Sequence, residues 1–114
     1  MNAVKLVVFP TSDIEKSKAL FAELLGTAPY ADSPYYAGFR TGDTEIGLTP
    51  AAPQQSTAAP IVYVDVDDIE IALANSLKSG AEKLQDPMDV ANGLLVAIVK
   101  SPDGAPIGLR QQPK

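Results

Sequence analysis

The sequence predicts an α+β fold built from one unit used twice: a strand, a helix, then further strands. Three observations predict it. LVVFPTSDIEKSKA (residues 6–19) lies over IVYVDVDDIEIALA (residues 61–74) at a constant offset of 55, Asp13 falling on Asp68. Val7/Val62, Ile14/Ile69, Glu15/Glu70 and Ala19/Ala74 are identical in that alignment, as befits an internal repeat. Each copy opens with an apolar run and passes into a helical pattern. Each also closes on the same Ile-Gly-Leu, in TEIGLTP (residues 44–50) and APIGLRQ (residues 105–111).

The first module spans residues 3–49. Its opening strand, ending in LVVF, leads to a helix expected to start with the capping box Ser12-x-x-Glu15, in which the hydroxyl accepts from a free helix N–H. Ile14, Phe21, Leu24 and Leu25 form the apolar stripe, and Gly26 suits the helix end. YYAGFR, the turn Thr41-Gly42-Asp43 and TEIGLT supply the strands that follow. Residues 50–60, PAAPQQSTAAP, are uncharged and rich in Pro, Ala and Gln, which reads as a linker.

The second module spans residues 61–112. After IVYVD, Asp67-x-x-Glu70 offers a second capping box, with Val66 and Ile71 as a hydrophobic staple. Ile69, Leu73 and Leu77 make the stripe beside Ala72, and Gly80 ends the helix. The Asn92-Gly93 hairpin turn, LLVAIVK, the Ser-Pro-Asp-Gly turn at 101–104 and PIGLRQ complete the unit.

Composition narrows the chemistry. The 114 residues suit a single domain, and a net charge of −5 disfavours nucleic acid and anionic membrane as partners. The apolar run before Pro10 is too short for a signal segment and nothing approaches a membrane span. The expected location is the cytoplasm, with which the absence of Cys agrees. The chain has neither His nor Cys, which removes the usual ligands of zinc, copper and non-haem iron and all His-based proton shuttling.

The order and spacing of these segments resemble the vicinal oxygen chelate superfamily, which includes glyoxalase I, bleomycin-resistance proteins and extradiol dioxygenases. VVFPTSDIEKSKALFAELLG resembles the family's opening strand and helix, and APYADSPYYAGFRTGDTEIGLTP the middle of its bacterial glyoxalase-like members. VYVDVDDIEIALANSLKSGAEKLQDPMDV and SPDGAPIGL resemble the second module. The resemblance implies two βαβββ modules whose strands form a half-open sheet around a central cavity, helices outside. It also implies a homodimer. Metal-dependent members draw ligands, usually His, Gln or Glu, from the first and last strands of each module. By position those places here are Leu6, Gly47, Ile61 and Gly108, none of which has a donor atom. Shifting the register by one residue does not improve them. The expectation is therefore no metal and no cofactor. The paired glycines leave room in the cavity, or alternatively permit a bulge or a close backbone approach.

Strand alternation puts Glu45 and Thr49 on the face of Gly47, Pro106 and Arg110 on that of Gly108, Val8 on that of Leu6, and Tyr63 and Asp65 on that of Ile61. Tyr63 can stack on a planar ligand or belong to the core. Arg110 can clamp a carboxylate or phosphate or remain solvated, and Glu45 can accept from an amine, act as a base or lie at the surface. Tyr30, Tyr35, Tyr36 and Phe39 hold four of the seven aromatics within ten residues. They either border the cavity mouth, as the resemblance implies, or pack a loop onto the sheet. Asp65, Asp67 and Asp68 fall short of a cation loop.

Three functions fit. The first is a metal-independent protein that sequesters an apolar or planar small molecule, as drug-binding family members do. The second is a glyoxalase-like lyase or isomerase using Glu45 or Tyr63 as acid or base. The third is a non-catalytic interaction or scaffold domain whose cavity is filled by its own side chains. The missing ligands favour binding over catalysis, and the glycines favour binding over scaffold.

Overall fold

Residues 1–53 and 55–114 are described in a computed structural model of the chain; Gln54, inside the expected linker, lies outside the described residues. The fold is mixed α+β, and its elements run β1 (Ala3–Thr11), α1 (Ile14–Leu25), β2 (Ala31–Ser33), β3 (Tyr36–Thr41), β4 (Thr44–Pro50), β5 (Ile61–Asp65), α2 (Ile69–Lys78), β6 (Glu82–Ala91), β7 (Leu94–Lys100) and β8 (Pro106–Gln111). Two compact units result: Lys5–Pro60, and Ile61–Lys114 together with Met1–Val4.

In the first unit the strand order is β2-β3-β4-β1. β1 runs parallel to β4, and β3 is antiparallel to both β4 and β2. α1 covers one face, where Ala37, Phe39 and Leu48 are fully buried against Phe9, Ile14, Phe21, Ala22, Leu25 and Ile46. Phe21 links the layers, its ring centroid 5.0 Å from that of Phe9 and 6.3 Å from that of Phe39. Leu24, expected on this stripe, is 68% exposed, and Ala22 takes its place. The helix ends as expected, with Gly26 in the left-handed region and its N–H bonded to the Ala22 carbonyl.

The second unit has the order β5-β8-β7-β6, again with a parallel pair (β5/β8) and antiparallel neighbours. Val66, Ile69, Leu73, Ala97, Val99 and Leu109 form the core under α2. Leu77, expected in the stripe, is 41% exposed. Asn92 and Gly93 both have positive φ, as the expected two-residue hairpin turn requires. β6 contains Pro87 and register shifts, features tolerated at the end of a strand order where one side needs no ladder bonds.

Both helix starts fall one residue later than expected. The caps are Asp13, accepting from the Lys16 N–H at 3.1 Å, and Asp68, accepting from the Ile71 N–H at 3.1 Å. These are the residues matched by the repeat. Neither capping box forms, because a cap at Asp13 or Asp68 leaves Lys16 or Ile71 where the box needs Glu. The staple fails too: Val66 is in the core while Ile71 is 60% exposed. Pro50, expected in the linker, belongs to β4 and pairs with Thr11.

Candidate functional site

In the first unit the face away from α1 is set by register. Leu6 pairs with Glu45, Val8 with Gly47 and Pro10 with Thr49, so Leu6, Val8, Glu45, Gly47 and Thr49 share that face, as alternation requires. The residue beside Gly47 is thus Val8, not Leu6. On its other side Gly47 pairs with Gly38, and Arg40 pairs with Glu45. No bulge interrupts β4 at Gly47, which removes that reading of the glycine.

The space over Gly47 is not open. A Cβ there would meet the Tyr36 ring and hydroxyl at 2.7 Å, and one on Gly38 would meet the same ring at 2.8 Å and the Glu45 carboxylate at 2.9 Å. The Tyr36 ring therefore lies across two facing glycines, with its hydroxyl donating to Glu45 Oε2. Tyr30 completes the group, its ring carrying the Arg40 guanidinium at 3.9 Å. Partial burial and then the Glu45 carboxylate push the Tyr30 phenol up, with Arg40 opposing. Tyr35 is 79% exposed. Phe39 is a correction: it lies under α1 on the opposite face, because it pairs with Ile46 while Gly38 pairs with Gly47.

The second unit repeats the device. Tyr63, not Ile61, is the residue paired with Gly108, and its ring occupies the place a Gly108 side chain would need. Tyr63 is only 8% exposed, and burial pushes its phenol up, with Arg110 opposing. Ile61 is 4% exposed. Arg110 is not an open clamp. Its Nε and Nη2 donate to the two Asp65 oxygens at 2.7 and 3.2 Å, a forked pair that uses the guanidinium on a carboxylate of the chain itself. Next to it, Gln111 Oε1 accepts from the Ile69 N–H at 2.8 Å and shares the capping of α2. The sequence reading missed Gln111, Gly38 and Arg40 as parts of these arrangements. Only Gly38 left a signal, two residues after Tyr36 and one strand from Gly47.

Residues 3–109 match the sequence profile of the glyoxalase/bleomycin resistance protein/dioxygenase superfamily. The chain belongs to that superfamily. Solved structures agree at the level of fold. A hypothetical protein from Bacillus halodurans superposes with TM-score 0.77 at 16% identity, covering 99% of this chain and 96% of that one. An NAD-dependent benzaldehyde dehydrogenase from Legionella pneumophila gives 0.73 at 22% identity, covering 93% and 96%. A glyoxalase/bleomycin resistance protein/dioxygenase superfamily member from Vibrio splendidus gives 0.70 at 16%, covering 98% and 100%. No curated protein matches the sequence.

A metal of the superfamily's metal-dependent kind does not fit these residues. The glycines at 47 and 108 carry no donor and are covered by tyrosine rings, and Val8 offers none. Tyr63 is a neutral phenol. Among the described residues no three carboxylates come together as a possible metal site. No described helix is long and apolar enough to cross a membrane.

Proposed function

We propose that this superfamily member is a metal-independent binding protein that sequesters a neutral, apolar or planar small molecule against the helix-free faces of its sheets. One observation carries the metal-independent part of the reading: of the four places where metal-dependent relatives draw ligands, two are glycines here, and tyrosine rings rather than open space cover both. Such a surface is apolar with a few polar groups, the make-up of a small-molecule site. The forked Asp65–Arg110 pair commits that guanidinium to a carboxylate of the chain itself, so Arg110 does not select a carboxylate or phosphate ligand. The proton-transfer alternative is less well supported. Glu45 already accepts from Tyr36, and burial holds the Tyr63 phenol protonated. By family analogy the protein acts as a homodimer, which sedimentation at varied concentration tests; a cytoplasmic location is proposed from the sequence alone.

The functional reading is tested by thermal unfolding with planar aromatics, with and without EDTA and divalent ions. A ligand at about 100 times its Kd adds roughly 2.7 kcal/mol of stability, and the expected shift is the same in EDTA. Stabilisation by a divalent metal alone contradicts the proposal.

A further inference from the structure

The first unit already holds a hydroxyaromatic ring in a shaped place, and the ring is its own. Gly38 and Gly47 face each other across β3 and β4, so their backbones form a flat shelf with no Cβ. Facing glycines weaken a sheet unless something covers them, and the Tyr36 ring does, its hydroxyl on Glu45. The Tyr30 ring stands at one side, 3.0 Å from where a Gly38 side chain would begin. We infer that the Gly38–Gly47 shelf, with Glu45 as its acceptor, is a subsite for a planar hydroxyaromatic ligand, and that Tyr36 is the stand-in such a ligand displaces.

Two features support displacement here, and a third sets the ligand class. Tyr36 is half-buried, whereas Tyr63, which covers Gly108, is buried. The Tyr36 backbone is held independently of its ring, its N–H donating to Ser33 Oγ at 3.1 Å and its carbonyl accepting from that hydroxyl at 3.3 Å. Displacing the ring therefore leaves these backbone bonds intact. Finally, a ring without a hydroxyl would strip Glu45 of the donor it now has, and an anionic ring would be repelled, so a neutral phenol is the matching class.

This inference rests on the binding reading above and names its ligand class. The test measures affinities of 4-methylphenol and of toluene, its counterpart without a hydroxyl, for the wild type, Tyr36→Phe and Tyr36→Phe/Glu45→Leu. Tyr36→Phe removes the competing hydroxyl, and a hydrogen bond to a charged acceptor corresponds to roughly tenfold or more in affinity. The expected result is that gain for 4-methylphenol, none for toluene, and its loss in the double variant. On the wild type, NMR of labelled tyrosine should show the Tyr36 ring signals moving as 4-methylphenol saturates, which keeps the test open if a variant fails to fold. Equal affinity of 4-methylphenol for wild type and Tyr36→Phe, or unmoved Tyr36 signals at saturation, overturns the inference. If aromatics without a hydroxyl bind all three proteins alike, the shelf assignment falls and the binding reading stands. If no aromatic binds any of them, both fall.

Discussion

Gly108→Ala separates a glycine that keeps space open from one that accommodates a ring. Gly108 does not have positive φ, so alanine suits its backbone and by itself stabilises by about 0.4–1 kcal/mol through the unfolded chain. Against this, the new Cβ lands within the Tyr63 ring, touching Cγ, Cδ2 and Cε2. Tyr63 is 8% exposed and lies on a paired strand, so the ring has little freedom to withdraw. Overpacking of this kind costs about 1–3 kcal/mol, leaving a net loss of up to about 2.6 kcal/mol. For a domain of this size that lowers Tm by up to roughly 10 °C. The decisive background is Tyr63→Val, which copies the Val8–Gly47 pairing of the first unit. There Gly108→Ala should become neutral or stabilising by up to about 1 kcal/mol. Thermal and urea unfolding of the four proteins reads the coupling. An equal loss in both backgrounds, or a gain in the wild type, refutes the ring account of this glycine.

Asp68→Ala should cost about 1 kcal/mol by loss of the α2 cap, and adding Gln111→Ala should deepen the loss, because Gln111 holds the Ile69 N–H; urea unfolding measures both. Phe39→Ala should cost about 3–5 kcal/mol, while Tyr35→Ala should stay within about 0.5 kcal/mol, which calorimetry distinguishes. The Tyr63 phenol is raised above its ordinary value of 10.0 in the folded state, so the unfolded chain releases that proton first. Its contribution is complete below the ordinary value and declines as pH rises past it. Wild type should therefore lose Tm more steeply than Tyr63→Phe above about pH 10.

The repeat, the two helices and the paired glycines were legible because each leaves a local pattern. The caps were legible and misread. Asp13 and Asp68 are the matched residues and cap the helices, whereas the box pattern puts each cap one position earlier; the glutamates lie in the first helical turn, where the helix dipole favours acidic groups. Phe39 was also readable in principle. The two-residue loop Gly42-Asp43 fixes Thr41 opposite Thr44, and counting back puts Gly38 on Gly47 and Phe39 on the far face. Leu24 is not separable by pattern because α1 carries leucines on both sides, Leu25 packed and Leu20 and Leu24 exposed, whereas Leu77 lies on the side of buried Leu73 but in the last turn of α2, where it is 41% exposed. The Arg110–Asp65 fork was beyond reach. It depends on the register of a parallel pair joined through a helix and two strands, which no turn in the sequence sets.

The most direct test of the central claim, binding without metal, is calorimetric titration of a neutral planar aromatic into metal-stripped protein, repeated with manganese and nickel restored. The account predicts saturable binding with the same Kd in all three conditions. Binding that appears only when a metal is returned would contradict it.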